Sequence, residues 1–376
     1  MTHISSFLSI NQGVPPPDNP PIRMVANCKI YILQLPIIRE LKGEQKMIID
    51  NVMYHNVDGI IKRPYGMRLL RYSEGVTENL EYGVKKMSGY ACNAEMRFVT
   101  EAPETFVSLM SEIGEAHVTV YYGDCVLKEF ILQEGVITRI ELYIPKVLDG
   151  LDESFYKNNL FSKNVWRLHF KGMITVCGID SLGYPIRPPK KEEMPEKTIL
   201  CYGSSISQGI GSVYYPITYV NVLANLLGMD CLAKGLAGAC FCNSEIAENF
   251  MGRDDWDCAF LEMGINMLWA APDEFLKRFE YFADTMYKTG KKLVFTTIFD
   301  NNRYYEDGDA KNTCMKYDDI IRKKCGEFDK KRVLLIEGRN IVCESGILTT
   351  DGTHPSTEGH MKIGYNIYDK VKDFLV

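Results

Sequence analysis

Residues 198–229 contain no Asp, Glu, Lys, Arg or His. About 20 apolar residues suffice to cross a bilayer, so a chain carrying such a run must place it in a membrane or in a core. Gly203, Gly209, Gly211, Gln208, Pro216 and Asn221 interrupt it, which argues against a membrane span. It reads instead as a buried strand over 198–202, a glycine-rich loop and a buried helix over 216–227. Pro216 is expected near the start of that helix, where a missing N–H costs nothing.

The rest of the C-terminal part continues the alternation. Strands are expected over 229–233, 258–262, 293–298 and 333–336, and helices over 243–251, 272–289, 310–328 and 356–375. Five strand–helix units of this length predict a parallel sheet covered on both faces. Upstream the pattern differs. Runs at 116–121, 136–144 and 165–170 alternate apolar and polar residues, as antiparallel strands with one face in a core do. Several such runs without a convincing helix predict a β-sandwich of jelly-roll type over 24–183. Residues 184–196 hold four prolines and a charge cluster and read as a linker. Residues 1–23, rich in proline, read as an arm. A length of 376 residues accommodates this division into two domains, with the second over 197–376.

Lys and Arg total 43 against 49 Asp and Glu, a formal charge of −6 with no basic run. That balance speaks against nucleic acid or an anionic membrane surface as a partner. The 12 cysteines include no CxxC pair, and Cys240 and Cys242 form only a CxC, so reduced thiols are expected rather than a zinc site or a disulfide framework. No basic segment followed by an apolar one opens the chain, so a cytoplasmic location is expected.

Ligands of such sheets gather at the carboxyl ends of the strands, and four loops there carry reactive or polarising groups. Gly203-Ser204-Ser205-Ile206-Ser207-Gln208-Gly209 follows the first strand. It is either a polar turn or a serine nucleophile beside free helix N–H groups. No Lys follows Gly209, so it is no Walker phosphate loop. Gly235-Leu236-Ala237-Gly238 and Gly264-Ile265-Asn266 follow the second and third strands. Each is either an ordinary turn or a donor to a developing oxyanion. Asp351-Gly352-Thr353-His354-Pro355 precedes the last helix, and Gly352 permits a bend that would return the carboxylate to the imidazole. His3, His55, His117, His169 and His360 have no such companion. Gly178-Ile179-Asp180-Ser181-Leu182 opens no strand–helix unit, so Ser181 reads as a turn residue. A GxSxG elbow and an HExxH motif are both absent, and no metal or cofactor is expected.

Taken together, each after its own strand, these blocks resemble the SGNH hydrolases, the GDSL-type esterases and lipases, over about half the chain. The resemblance implies a flavodoxin-like, three-layer α/β/α fold with a five-stranded parallel sheet. It implies Ser205 as nucleophile, with Ser204 its adjacent competitor, His354 as general base and Asp351 orienting it. It also implies an oxyanion hole built from Ser205, Gly238 and Asn266. Gly203-Ser204-Ser205 stands where the family often has Gly-Asp-Ser, Met267 where it often has Asp, and Ala239 where a polar residue is common. A sandwich ahead of such a domain resembles some carbohydrate esterases and SGNH acyltransferases. The expected function is hydrolysis of small O-acyl esters, acetyl above all, on a small molecule or glycan, with the sandwich as a possible sugar binder. An acyltransferase and a non-catalytic carbohydrate-binding protein are the alternatives.

Overall fold

The computed structural model describes residues 47–376 apart from Asp149, Asp307 and Cys343. The arm expected over 1–23 and residues 24–46 of the expected sandwich lie outside the described residues.

The strand-rich half contains β1 (Met47–Ile49), β2 (Val52–His55), β3 (Gly59–Arg63), β4 (Gly66–Leu70), β5 (Glu95–Thr100), β6 (Glu104–Ser111), β7 (Ala116–Tyr122), β8 (Cys125–Leu132), β9 (Thr138–Tyr143), β10 (Trp166–Lys171), β11 (Ile174–Asp180) and β12 (Ile186–Arg187). One antiparallel sheet runs β1-β2-β5-β10-β7-β8, with β12 also on β5, and the other runs β3-β4-β11-β6-β9. Alternation decides which side chains meet. Val107, Leu109, Ile140 and Leu142 of one sheet pack with Met96, Phe98, Val118, Val120 and Leu168 of the other.

Two features depart from the sequence reading. Helices α1 (Glu74–Thr77) and α2 (Tyr82–Ser88) interrupt the strand-rich half, where none is expected. They are too short to show a helical period. Tyr72, Leu80 and Val84 of this segment pack with Leu236 and Phe250 of the C-terminal half, so tertiary burial holds them. The expected linker is not a free tether. Ile186 and Arg187 pair with Thr100 and Val99, and Arg187 binds Glu193 in a fork of two 2.7 Å bonds.

The charge-free run becomes β13 (Thr198–Tyr202), the one-turn helix α3 (Ser205–Gln208) and α4 (Tyr219–Leu227). Helix α4 starts three residues beyond Pro216, which belongs to the preceding turn, where Ser212 Oγ donates to the carbonyls of Tyr214 and Ile217. There follow β14 (Asp230–Ala233), α5 (Ser244–Met251), β15 (Cys258–Glu262), α6 (Pro272–Lys288), β16 (Lys292–Thr296), α7 (Asp309–Gly326), β17 (Val333–Ile336) and α8 (Thr357–Leu375). The five strands are parallel in the order β14-β13-β15-β16-β17, a 2-1-3-4-5 arrangement. Ile199 and Cys201 bury one face beside Val220, Leu223, Ile363 and Ile367 of α4 and α8. Leu200 and Tyr202 bury the other beside Phe250, Phe279, Phe282 and Ile321 of α5, α6 and α7. No helix among the described residues is long and apolar enough to cross a membrane.

The halves share a buried polar seam. Arg97 of β5 binds both oxygens of Asp230 at 2.5 and 2.8 Å. Asp58 accepts from Lys234 at 2.9 Å and from Arg253 at 2.7 Å. Burial alone would push the Asp58 carboxyl up, but the two cations hold it below the ordinary value.

Candidate active site

The loop after β13 divides two adjacent serines between two jobs. Ser204 caps α3 and is fully buried. Its Oγ and its N–H both donate to Glu262 Oε2, at 2.7 and 2.8 Å. Ser205, the first residue of α3, turns the other way, and its Oγ lies 2.7 Å from His354 Nε2. His354 Nδ1 lies 2.7 Å from Asp351 Oδ2, and the His354 and Thr353 N–H groups donate to Asp351 Oδ1 at 2.9 and 2.8 Å. Gly352 makes this bend with φ +66°, and a Cβ there would sit 2.9 Å from Asn302 Cβ. Partial burial raises the Asp351 carboxyl, but the bonds from His354 and Thr353 outweigh it and hold it well below the usual carboxylate range. An ionised Asp351 can only accept, so Nδ1 carries a proton, and in a neutral imidazole Nε2 is then the nitrogen that accepts from Ser205.

Asn266 sits in the one-turn 3₁₀ helix Ile265–Met267 after β15. Its Oδ1 accepts from Cys240 N–H at 3.2 Å, which fixes the amide and leaves its NH₂ as the free end. Gly238 adopts φ +66°, and a Cβ there would meet open space. Ser205, Gly238 and Asn266 therefore all lie on loops at the carboxyl ends of β13, β14 and β15, where the strand order reverses. The other described histidines stay out of the arrangement. His360, for example, is buried on α8, accepts from Tyr219 N–H at 3.2 Å and faces the Ile210 carbonyl at 3.0 Å. Burial lowers its pKa to about 4, so it remains neutral. Ser181 donates to the Tyr184 carbonyl at 2.5 Å within a turn.

Sequence reading missed Glu262. Its signal was a lone acid closing the apolar strand Cys-Ala-Phe-Leu-Glu. Burial pushes its carboxyl up to about 7, against the bonds it accepts from Ser204 and, at 3.0 Å, from Ser207 Oγ. An unfolded chain would lose this proton near pH 4.5, whereas the folded one keeps it to about pH 7. Raising the pH through that window therefore disfavours the fold, by up to roughly 3 kcal/mol for this group. Glu262→Gln, which keeps the shape and removes the titration, is expected to flatten that part of the stability–pH curve. Denaturant midpoints of both proteins at pH 5 and pH 8 would check it.

No family model matches the chain. A multidomain esterase from Ruminococcus flavefaciens is 25% identical over 124 residues, which is 32% of this chain and 16% of that protein's length. Among solved structures, a salicylyl-acyltransferase from a tetracycline biosynthetic pathway superposes with a TM-score of 0.65 at 13% identity, covering 86% of this chain and 94% of that one. A Bacteroides ovatus protein described as a GDSL-like lipase gives 0.63 at 16% identity, with 86% and 96% covered. A family two carbohydrate esterase from Clostridium thermocellum, solved with cellohexaose, gives 0.55 at 14% identity, with 86% and 98% covered. The three structural likenesses each cover 86% of the chain, and the protein has the fold of the family two carbohydrate esterases and of the GDSL-type lipases, the latter being the family that its sequence blocks resemble.

Proposed function

We propose that the chain is a serine esterase that cleaves small O-acyl groups, acetyl in the first place, from a carbohydrate. The observation that carries this reading is the continuous line Ser205 Oγ, His354 Nε2, His354 Nδ1, Asp351 Oδ2, with 2.7 Å at each hydrogen bond. His354 takes the hydroxyl proton as Ser205 attacks the ester carbonyl carbon. The carbonyl oxygen, now negative, is received by the N–H groups of Ser205 and Gly238 and the Asn266 amide. The tetrahedral adduct collapses, the C–O bond to the sugar breaks, and His354 returns the proton to the leaving alcohol. Water, deprotonated by His354, then attacks the acyl-enzyme and releases the acid and free Ser205.

The glycan is supported by the fold likeness to an esterase solved with cellohexaose. The ten described cysteines are free thiols, which supports a reducing, cytoplasmic setting. The likeness to a salicylyl-acyltransferase favours a second reading, in which a second alcohol replaces water on the same acyl-enzyme. A panel of O-acetylated sugars, followed by acetate release with and without added acceptor alcohols, tests both readings. Acetate alone supports the hydrolase, acceptor-dependent ester supports the transferase, and neither product would sink the enzyme reading in favour of a binding protein. Within the mechanism, Asn266→Ala is expected to lower kcat on the order of 10²–10³-fold with little change in KM, measured by steady-state kinetics on an acetyl ester.

A further inference from the structure

We infer that Arg71, from the strand-rich half, is a positioning residue for the oxyanion loop of the C-terminal half. The inference rests on the esterase reading above. Three consecutive carbonyls at the start of that loop are held by side chains from residues 56–72. The Ala233 carbonyl accepts from Asn56 Nδ2 at 2.9 Å and Arg71 Nη1 at 3.1 Å. The Lys234 carbonyl accepts from Tyr72 OH at 2.5 Å, and the Gly235 carbonyl accepts from Arg71 Nη1 at 2.7 Å.

Arg71 is 1% exposed, and its remaining donors are also used. Nε donates to the Tyr90 carbonyl at 2.6 Å, and Nη2 to the Met87 carbonyl at 3.1 Å and Gln208 Oε1 at 3.4 Å. All five N–H groups of the guanidinium thus point at neutral oxygens. Burying a guanidinium is costly, and a neighbouring carboxylate is the usual way to offset it. Here the nearby acids serve other cations, as Asp58 binds Lys234 and Arg253. The fork is directed instead at backbone whose position sets the oxyanion donors.

Gln208 links this clamp to the nucleophile. Its Oε1 also accepts from Ala237 N–H at 2.8 Å, one residue before Gly238, and it closes the helical turn that Ser205 opens. The loop and that turn lie in close contact, since a Cβ on Gly235 would sit 2.3 Å from the Gln208 backbone nitrogen. Arg71 therefore fixes Gly238 relative to Ser205 from two sides, through the Gly235 carbonyl and through Gln208. A shift of about 1 Å in such a donor is enough to cost on the order of 10²-fold in rate.

The test compares Arg71→Met, Gln208→Met, Gln208→Glu and the double Met variant of the full chain. Turnover of p-nitrophenyl acetate is expressed per serine labelled by a fluorophosphonate, and folding is followed by near-UV circular dichroism and thermal melting. Arg71→Met and Gln208→Met are expected to lower kcat roughly 10²-fold with KM within about twofold. The double variant should be no worse than the worse single, because both act through one loop. Gln208→Glu keeps the acceptor for Ala237 and should recover part of the kcat lost in Gln208→Met. A variant that melts earlier but keeps kcat per labelled serine would show a purely structural role and overturn the inference. Additive losses would also overturn it. If Arg71→Met does not fold, the Gln208 pair decides, with equal kcat in Met and Glu forms counting against the clamp. A parent protein that neither labels nor turns over would instead remove the esterase reading.

Discussion

Ser205→Ala is expected to lower turnover of an acetyl ester on the order of 10⁴–10⁶-fold and to abolish labelling by a fluorophosphonate, read as intact mass. The reason is geometric. Ser205 Oγ is the hydroxyl 2.7 Å from His354 Nε2, and without it the proposed attack and acyl-enzyme have no nucleophile. The neighbouring variant is the control. Ser204 gives both its N–H and its hydroxyl to Glu262, so Ser204→Ala should still take up one phosphonate, although more slowly because the turn loses a buried bond. An adduct that survives in Ser205→Ala and vanishes in Ser204→Ala would reverse the assignment.

Asp351→Asn is expected to lower kcat by about 10⁴-fold while the protein stays folded. The ionised carboxylate accepts at both oxygens: Oδ2 from His354 Nδ1, and Oδ1 from the N–H groups of His354 and Thr353. An amide has one acceptor oxygen and no charge. It can keep the backbone bonds or the imidazole bond, but it cannot balance the imidazolium that the proposed mechanism forms when Ser205 gives up its proton. Steady-state kinetics with near-UV circular dichroism checks this. A loss below tenfold in a folded variant would mean that Asp351 is a turn former and that His354 is oriented otherwise.

Part of this protein was legible one segment at a time. The strands Thr198–Tyr202, Cys258–Glu262 and Val333–Ile336 match the sequence reading residue for residue, because a strand buried on both faces is a short apolar run between polar ends. The last helix, expected over 356–375 and found over Thr357–Leu375, is equally local, and so is the Asp351-Gly352-Thr353-His354 bend. Elements without a local signature escaped. Helices α1 and α2 span four and seven residues and owe their order to the other half's core. Pro216 suits the first turn of a helix and also the turn before one, and the Ser212 hydroxyl bonds decided for the latter.

The sequence by itself determined the parallel sheet, its four crossovers and the loops on which Ser205, Gly238, Asn266, Asp351 and His354 stand. Burial periodicity and turn chemistry are written within a few residues of each element. Turn chemistry did not separate Ser204 from Ser205, both hydroxyls on one turn, and only the family resemblance put Ser205 first. That choice depends on Glu262, 58 residues from Ser204, and on His354, 149 residues from Ser205. Nor could the sequence reveal Arg71 behind Gly235, 164 residues away. Only the tertiary structure assigns such partners, because a hydrogen bond across the fold leaves no period in the chain and is selected when the packed elements bring its two ends within about 3 Å.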